Sequence, residues 1–261
     1  MKRKIIIANW KMNLGLKETE VLTKDILIGL KKNLSVLEKV DLVLCPTLLL
    51  IPLVKSLIDK NRGLKDKIDV GAQDTFWEDW GAYTGEVSPS LLRQLNCRYV
   101  IVGHSERREI FKETDEMVHQ KVRACLINDL VPIICVGETF EERQRGFKDF
   151  RIINQVSKAL EGIKLGANQK LVIAYEPVWV IGSGQAVDPT EVEYTHRIIN
   201  QRLVDLYPLP IVRNNVRIIY GGSVDSTNVR KFLEQETVDG VLVGGASLKA
   251  QEFLRILELV D

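Results

Sequence analysis

Neither charge is in excess in this sequence: 36 lysines and arginines stand against 35 aspartates and glutamates, a formal net charge of +1. A nucleic-acid or membrane-surface protein shows a basic excess or basic clusters. Here there are only isolated pairs, Arg107-Arg108 and Lys31-Lys32, the latter read as a solvated face. Cysteine is scarce: Cys45, Cys97, Cys125 and Cys135 form no Cys-x-x-Cys pair, which argues against a metal or redox motif. Cys45 and Cys135 lie inside apolar runs and read as small core residues. No apolar run approaches the roughly 20 residues of a membrane span. Met1-Lys2-Arg3-Lys4 resembles a signal-peptide n-region, but only Ile5-Ile6-Ile7-Ala8 follow before Asn9-Trp10-Lys11, too few for an h-region. The expectation is a cytoplasmic protein with reduced thiols and no nucleic-acid or membrane partner. No Pro/Gly/Ser-rich linker or low-complexity tract divides the chain, so residues 1–261 read as one domain. No Gly-x-Gly-x-x-Gly follows the first apolar run, which weakens a dinucleotide-binding reading.

What is present is a repeat of short, β-branched apolar runs: Lys4–Ala8, Val40–Cys45, Ile68–Gly71, Tyr99–Val102, Val131–Val136, Leu171–Ala174, Arg217–Ile219 and Gly240–Val243. They do not alternate polar with apolar. Continuous apolarity marks a parallel strand covered on both faces. Stretches of helical periodicity follow, such as Glu18 to Leu30, Asp115 to Leu126, Phe150 to Leu160 and Glu191 to Leu206. Thr190 with Glu193 fits a capping box for the last. Eight strand–helix units in 261 residues predict an α/β fold, a closed (β/α)8 barrel of parallel strands ringed by helices. An open doubly wound sheet is the structural rival.

In such a barrel the chemistry lies at the carboxyl ends of the strands. Asn9 and Lys11 follow the first strand, Gln73 and Asp74 the third, His104 the fourth, Glu138 the fifth and Glu176 the sixth. Gly221-Gly222-Ser223 and Gly244-Gly245-Ala246-Ser247 follow the seventh and eighth. The two glycine turns, with N–H groups at a following helix start, suggest a phosphate site; the alternative is that they only make tight turns. His119 and His196 fall within helices and read as structural. His104 precedes Ser105-Glu106, which looks like the start of a helical turn, where extra positive charge is disfavoured; a neutral imidazole there can donate to a substrate carbonyl. Lys11 is either a surface lysine or the cation that stabilises charge developing on oxygen. Pro177 to Gly184 is apolar in its middle, stiff at one end and glycine-hinged at the other. That suits a lid that excludes water, with Glu176 at its root as a base in a dry pocket.

Together, Asn9-Trp10-Lys11-Met12-Asn13, Gly71-Ala72-Gln73-Asp74, Gly85-Glu86, Gly103-His104-Ser105-Glu106-Arg107-Arg108, Ala174-Tyr175-Glu176-Pro177-Val178-Trp179, Tyr220-Gly221-Gly222-Ser223-Val224 and Leu242-Val243-Gly244-Gly245-Ala246-Ser247-Leu248 resemble the triosephosphate isomerase family over essentially the whole chain. The resemblance implies interconversion of dihydroxyacetone phosphate and glyceraldehyde 3-phosphate, with no metal or organic cofactor. It implies Glu176 as the base at carbon, His104 at the oxygens, and Lys11 with Asn9 stabilising the enediolate. Gly182, Ser183, Ser223, Gly244 and Gly245 would grip the phosphate, and Glu106 would stand behind Lys11. It further implies a homodimer through the loop from Gln73 to Glu86, with Thr84 approaching the partner's site and Glu86 pairing with Arg107 across the interface. The aromatic residues Phe76, Trp77, Trp80 and Tyr83 in that loop favour a partner surface independently, packing onto their own barrel being the alternative.

The chain departs from the family pattern at Asp74, where Asn is usual, and at Val180 and Ser183, where Ala and Thr are usual. The distal hinge, Gln185-Ala186-Val187, differs too. Two rival functions remain. A Schiff-base aldolase needs a lysine on an inner strand end, and no strand after the first ends in one. A non-catalytic phosphate-binding barrel has no need of Glu176, His104 and Lys11 together.

Overall fold

A computed structural model describes residues 3–180 and 187–260. Eight parallel strands close on one another in sequence order: β1 Lys4–Asn9, β2 Val40–Cys45, β3 Ile68–Ala72, β4 Tyr99–Val102, β5 Val131–Val136, β6 Leu171–Tyr175, β7 Val216–Tyr220 and β8 Gly240–Val243. The barrel closes through β1 and β8, with Ile5 beside Gly240 and Ala8 beside Val243. The open-sheet alternative is therefore excluded.

The continuous apolarity of the strands has a direct structural reason. Ile5, Ile7, Val43, Ile101, Ile133 and Val172 form one buried cluster inside the barrel. Their neighbours Ile6, Ala8, Leu42, Leu44 and Val100 belong to a second cluster beneath the helices. Both faces of the strands are dry along most of their length and therefore apolar, with only Lys4, Asp41, Asp69 and Arg217, near the amino ends, charged and partly exposed. Burying each such apolar side chain contributes about 1.5–3 kcal/mol.

Helices cover the outer face: α1 Leu16–Lys32, α2 Val36–Lys39, α3 Ile51–Asp59, α4 Pro89–Gln94, α5 Ser105–Ile110, α6 Asp115–Ile127, α7 Phe140–Gln144, α8 Lys148–Ala159, α9 Pro189–Leu206, α10 Leu209–Asn215, α11 Val229–Leu233 and α12 Ala250–Glu258. The start of α9 corrects the capping expectation. Asp188 is the cap, accepting from the Thr190 N–H at 2.8 Å, and Pro189 is the first helical residue. Proline's fixed φ suits that position, so Thr190 already lies in the first turn. Glu193 turns instead to Thr237, accepting from its N–H at 3.1 Å and its hydroxyl at 2.8 Å.

The two helical histidines are structural, as expected. His119 faces the carbonyl of Ala159 at 3.3 Å. His196 is fully buried against the carbonyl of Thr237 at 3.2 Å, and burial pulls its pKa down to about 4. Among the described residues, no helix is long and apolar enough to cross a membrane.

Candidate active site

The carboxyl ends of the strands surround a cavity of about 260 Å³ lined by Asn9, Lys11, His104, Glu176, Gly221, Gly222, Ser223, Gly244 and Gly245, with Val224, Asp225, Leu242 and Ala246. One carboxylate, one imidazole and one ammonium thus share a mouth with both glycine turns. Gly182 and Ser183 lie outside the described residues.

Glu176 follows β6 directly and is buried. Its Oε2 accepts the backbone N–H of Ser105 at 3.2 Å. Its Oε1 has no hydrogen-bond partner among the described residues and stands 3.4 Å from Nε2 of His104. A buried carboxylate oxygen left unsatisfied is costly, and Glu176 is one of the residues that line the cavity. The thiol of Cys135, on the inner side of β5, lies beside it; burial first, and then the Glu176 charge, push that thiol far above its usual range.

His104 caps α5, as its position before Ser105-Glu106 suggested. Its Nδ1 accepts the N–H of Glu106 at 3.2 Å. A ring nitrogen that accepts a hydrogen bond carries no proton, so this geometry goes with a neutral ring protonated on Nε2. His104 itself lines the cavity.

Lys11 takes a left-handed backbone, φ 51°, a conformation that costs a residue with a side chain roughly 1–3 kcal/mol. Two side chains hold it there. Asn9 Oδ1 accepts the Lys11 N–H at 3.1 Å, and Gln73 donates to the Lys11 carbonyl at 2.9 Å. The same Gln73 amide also reaches the carbonyl of Cys45 at 2.9 Å. The Lys11 ammonium is thereby set at the cavity wall, 2.6 Å from Glu106 Oε1. Glu106 contacts Lys11 and is not among the residues that line the cavity.

Three strand-end residues do not join the mouth. Gln73 is spent on the Lys11 backbone. Asp74 points away from the cavity and binds Lys121 at 2.6 Å and Arg107 at 2.9 Å. Burial raises its pKa, with Lys121 opposing. This gives the departure from Asn a structural role as a charge partner. Glu138 is fully buried and accepts from the Trp179 indole N–H at 3.0 Å and the Tyr175 hydroxyl at 3.3 Å. It anchors the root of the loop after β6, where Val178–Val180 forms a 3-10 turn with Val180 buried. Arg143 lies over the Trp179 ring at 4.7 Å and pairs with Glu191. Burial raises the Glu138 pKa, and the Trp179 hydrogen bond opposes the shift.

At the glycine turns, a β-carbon on Gly221 would sit 2.8 Å from Glu176 Cγ, and one on Gly222 would sit 2.1 Å from the Tyr220 hydroxyl. The close approach therefore requires glycine at both. A β-carbon on Gly245 would meet nothing within 4 Å, so that wall of the cavity is backbone alone. The helix expected directly after Gly221-Gly222-Ser223 is absent: α11 begins only at Val229, after a turn in which Asp225 Oδ1 accepts from Thr227. After β8 the chain enters a 3-10 turn, Gly245–Leu248, at once.

Away from the cavity, the loop after β3 has Phe76 stacked on Trp77 at 4.0 Å and Tyr83 at 4.7 Å from Phe76. Trp80 and Tyr83 remain exposed, as do Thr84 and Glu86. Arg107 is engaged within its own chain by Asp74 and by Glu113, the latter at 2.6 Å. Sequence reasoning missed the Ser105 N–H and the Cys135 thiol, which only their neighbour Glu176 across the barrel identifies, and Val224 and Asp225, which line the cavity directly after the Gly221-Gly222-Ser223 turn.

A sequence profile described as triosephosphate isomerase matches residues 4–260. Relatives bearing that name include proteins of Dictyoglomus thermophilum and Dictyoglomus turgidum, each 45% identical over 259 residues, covering 99% and 98% of this chain and 100% and 99% of their own. That of Moorella thermoacetica is 42% identical over 257 residues, 98% of each chain.

Proposed function

The chain belongs to the triosephosphate isomerase family, and from that premise we propose that it isomerises its substrate with Glu176 as the base at carbon and His104 as the proton donor at oxygen. The reaction interconverts dihydroxyacetone phosphate and glyceraldehyde 3-phosphate. The observation that carries the assignment is that Glu176 and His104 both line the cavity, with the buried Glu176 Oε1, which has no hydrogen-bond partner among the described residues, 3.4 Å from His104 Nε2.

The proposed steps are these. Glu176 takes a proton from the carbon beside the carbonyl, and the carbon–hydrogen electron pair moves to make an enediolate. His104 gives its Nε2 proton to the carbonyl oxygen and recovers one from the neighbouring hydroxyl. Glu176 returns its proton to the neighbouring carbon. Charge developing on oxygen is met by the Lys11 ammonium, a cation whose position is fixed before the reaction begins. Asn9 both holds the Lys11 backbone and lines the cavity. No step moves electrons to or from a carrier, so the proposal needs no metal or organic cofactor.

Ser223, Gly244 and Gly245 form the wall suited to the phosphate, with Gly182 and Ser183 assigned there by family resemblance. Anchoring the substrate by its phosphate supplies binding energy away from the reacting carbons. A Schiff-base aldolase is disfavoured because Lys11, the lysine in the lining, follows β1 instead of ending an inner strand and is ion-paired with Glu106 at 2.6 Å.

We read residues 1–261 as one barrel domain that forms a homodimer. Exposed Met12, Leu49, Trp80 and Tyr83 leave from the loops after β1, β2 and β3, adjacent strands at the same end of the barrel. Such apolar exposure favours a partner surface, with Thr84 directed to the partner's site and Glu86 facing Arg107 of the other copy. Four free, buried cysteines suit a reducing cytoplasm. A coupled assay with glyceraldehyde 3-phosphate tests the activity; no turnover by the purified protein would refute it. Sedimentation at micromolar concentration tests the dimer, and a monomer would refute that reading.

A further inference from the structure

The orientation of His104 depends on how the chain leaves β4, and the residue between them is under constraint. Gly103 is buried and left-handed, φ +69°. Its peptide plane decides where His104 begins. Arg108, one turn into α5, reaches back to it: Nε donates to the Gly103 carbonyl at 2.7 Å. The guanidinium then extends in two further directions. Nη1 donates to Asp115 Oδ1 at 2.5 Å, at the start of α6, and Nη2 reaches the Cys135 carbonyl on β5 at 3.4 Å. Asp115 is itself braced by Arg151 at 3.3 Å. The guanidinium lies so close to Gly103 that a β-carbon there would stand 2.9 Å from Nη2.

We propose that Arg108 is a positioning residue of the isomerisation, fixing the Gly103 peptide and through it the imidazole of His104. This rests on the reading of His104 as the group that acts at the substrate oxygens. The planar fork matters. It ties the end of β4, the end of β5 and the start of α6 to one rigid group, which a lysine's single ammonium cannot do. Cys135 sends its carbonyl to Arg108 while its thiol lies against Glu176, so the same clamp borders both halves of the proton-transfer pair. A merely structural ion pair would serve stability alone. A positioning residue must lose its kinetic effect once the residue it positions is removed.

The test is a double-mutant cycle on the full-length enzyme, with steady-state kinetics on glyceraldehyde 3-phosphate. Arg108→Met is expected to lower kcat by roughly 10- to 100-fold through misplacement of a reacting group, with KM within about twofold, because the phosphate wall is untouched. In the His104→Gln background the same substitution is expected to change kcat by less than about twofold, since residues acting as a unit are not additive. Arg108→Lys is expected to recover part of the loss. Asp115→Asn, which loosens the clamp and keeps the guanidinium, serves in place of Arg108→Met if that variant does not fold, with the same pattern and a smaller kcat effect. Full additivity of the two substitutions, or unchanged kcat in both the Arg108 and Asp115 variants, overturns the proposal. Near-wild-type turnover of His104→Gln alone instead overturns the role of His104 on which it rests.

Discussion

Nε2 of His104 and Oε1 of Glu176 stand 3.4 Å apart at one wall of the cavity. In the proposed mechanism one group moves a proton at carbon and the other at oxygen. The His104→Gln variant keeps a hydrogen-bond donor there and loses the ability to pass a proton between oxygens. Its kcat is expected to fall roughly 10²- to 10⁴-fold, the usual worth of a general acid or base, with a much smaller change in KM. Steady-state kinetics in both reaction directions check this.

Gly245 belongs to the wall proposed for the phosphate, and a β-carbon there would stand in open space. Gly245→Val fills that space and is expected to weaken inorganic phosphate binding by about 10-fold or more, a cost of roughly 1.4 kcal/mol. Calorimetric titration with phosphate reads this directly. An unchanged affinity removes the site from Gly245.

Trp179 satisfies one oxygen of a carboxylate that is already short of partners, for Glu138 Oε2 has none among the described residues. Trp179→Phe keeps a ring for Arg143 and deletes the N–H. The variant is expected to lose about 1–3 kcal/mol in urea unfolding, the cost of exposing a buried acceptor's unmet demand.

His196 is neutral in the fold because burial pulls its pKa from 6.5 down to about 4. In the unfolded chain it charges near 6.5. Between those values the unfolded state binds more protons, so stability must rise with pH. The contribution is fully present above pH 6.5 and is lost as pH falls toward 4, by roughly 3 kcal/mol at most. Urea midpoints measured across this window are expected to drop with acidity, and His196→Gln is expected to flatten that slope.

The barrel was legible in the sequence because a strand dry on both faces has a distinctive composition. Val40–Cys45, Tyr99–Val102, Val131–Val136 and Gly240–Val243 were placed to the residue. That Glu176, His104 and Lys11 share one cavity was legible because each follows a strand end. Proximity to a strand end does not reveal where a side chain turns, however. Gln73 turns to the strained Lys11 backbone, Glu138 to Trp179, and Asp74 to Lys121 and Arg107. The Ser/Thr-x-x-Glu spacing of Thr190 and Glu193 does not mark the start of α9, because Asp188-Pro189 just before Thr190 already supplies a cap and a first residue with a helical φ. Arg108 was invisible as more than half of a basic pair, since its meaning lies in a carbonyl on a different strand.

The central claim is that Glu176 moves the carbon-bound proton. The most direct test follows the isomerisation of dihydroxyacetone phosphate in deuterium oxide by proton NMR, comparing the wild-type protein with Glu176→Gln. The wild-type protein is expected to place solvent deuterium on carbon, because a proton held by a carboxylate can exchange before it returns. Glu176→Gln is expected to lose turnover and carbon exchange together, by roughly 10² to 10⁴ or more, while still binding inorganic phosphate. A Glu176→Gln protein that isomerises and exchanges at near the wild-type rate would contradict the assignment.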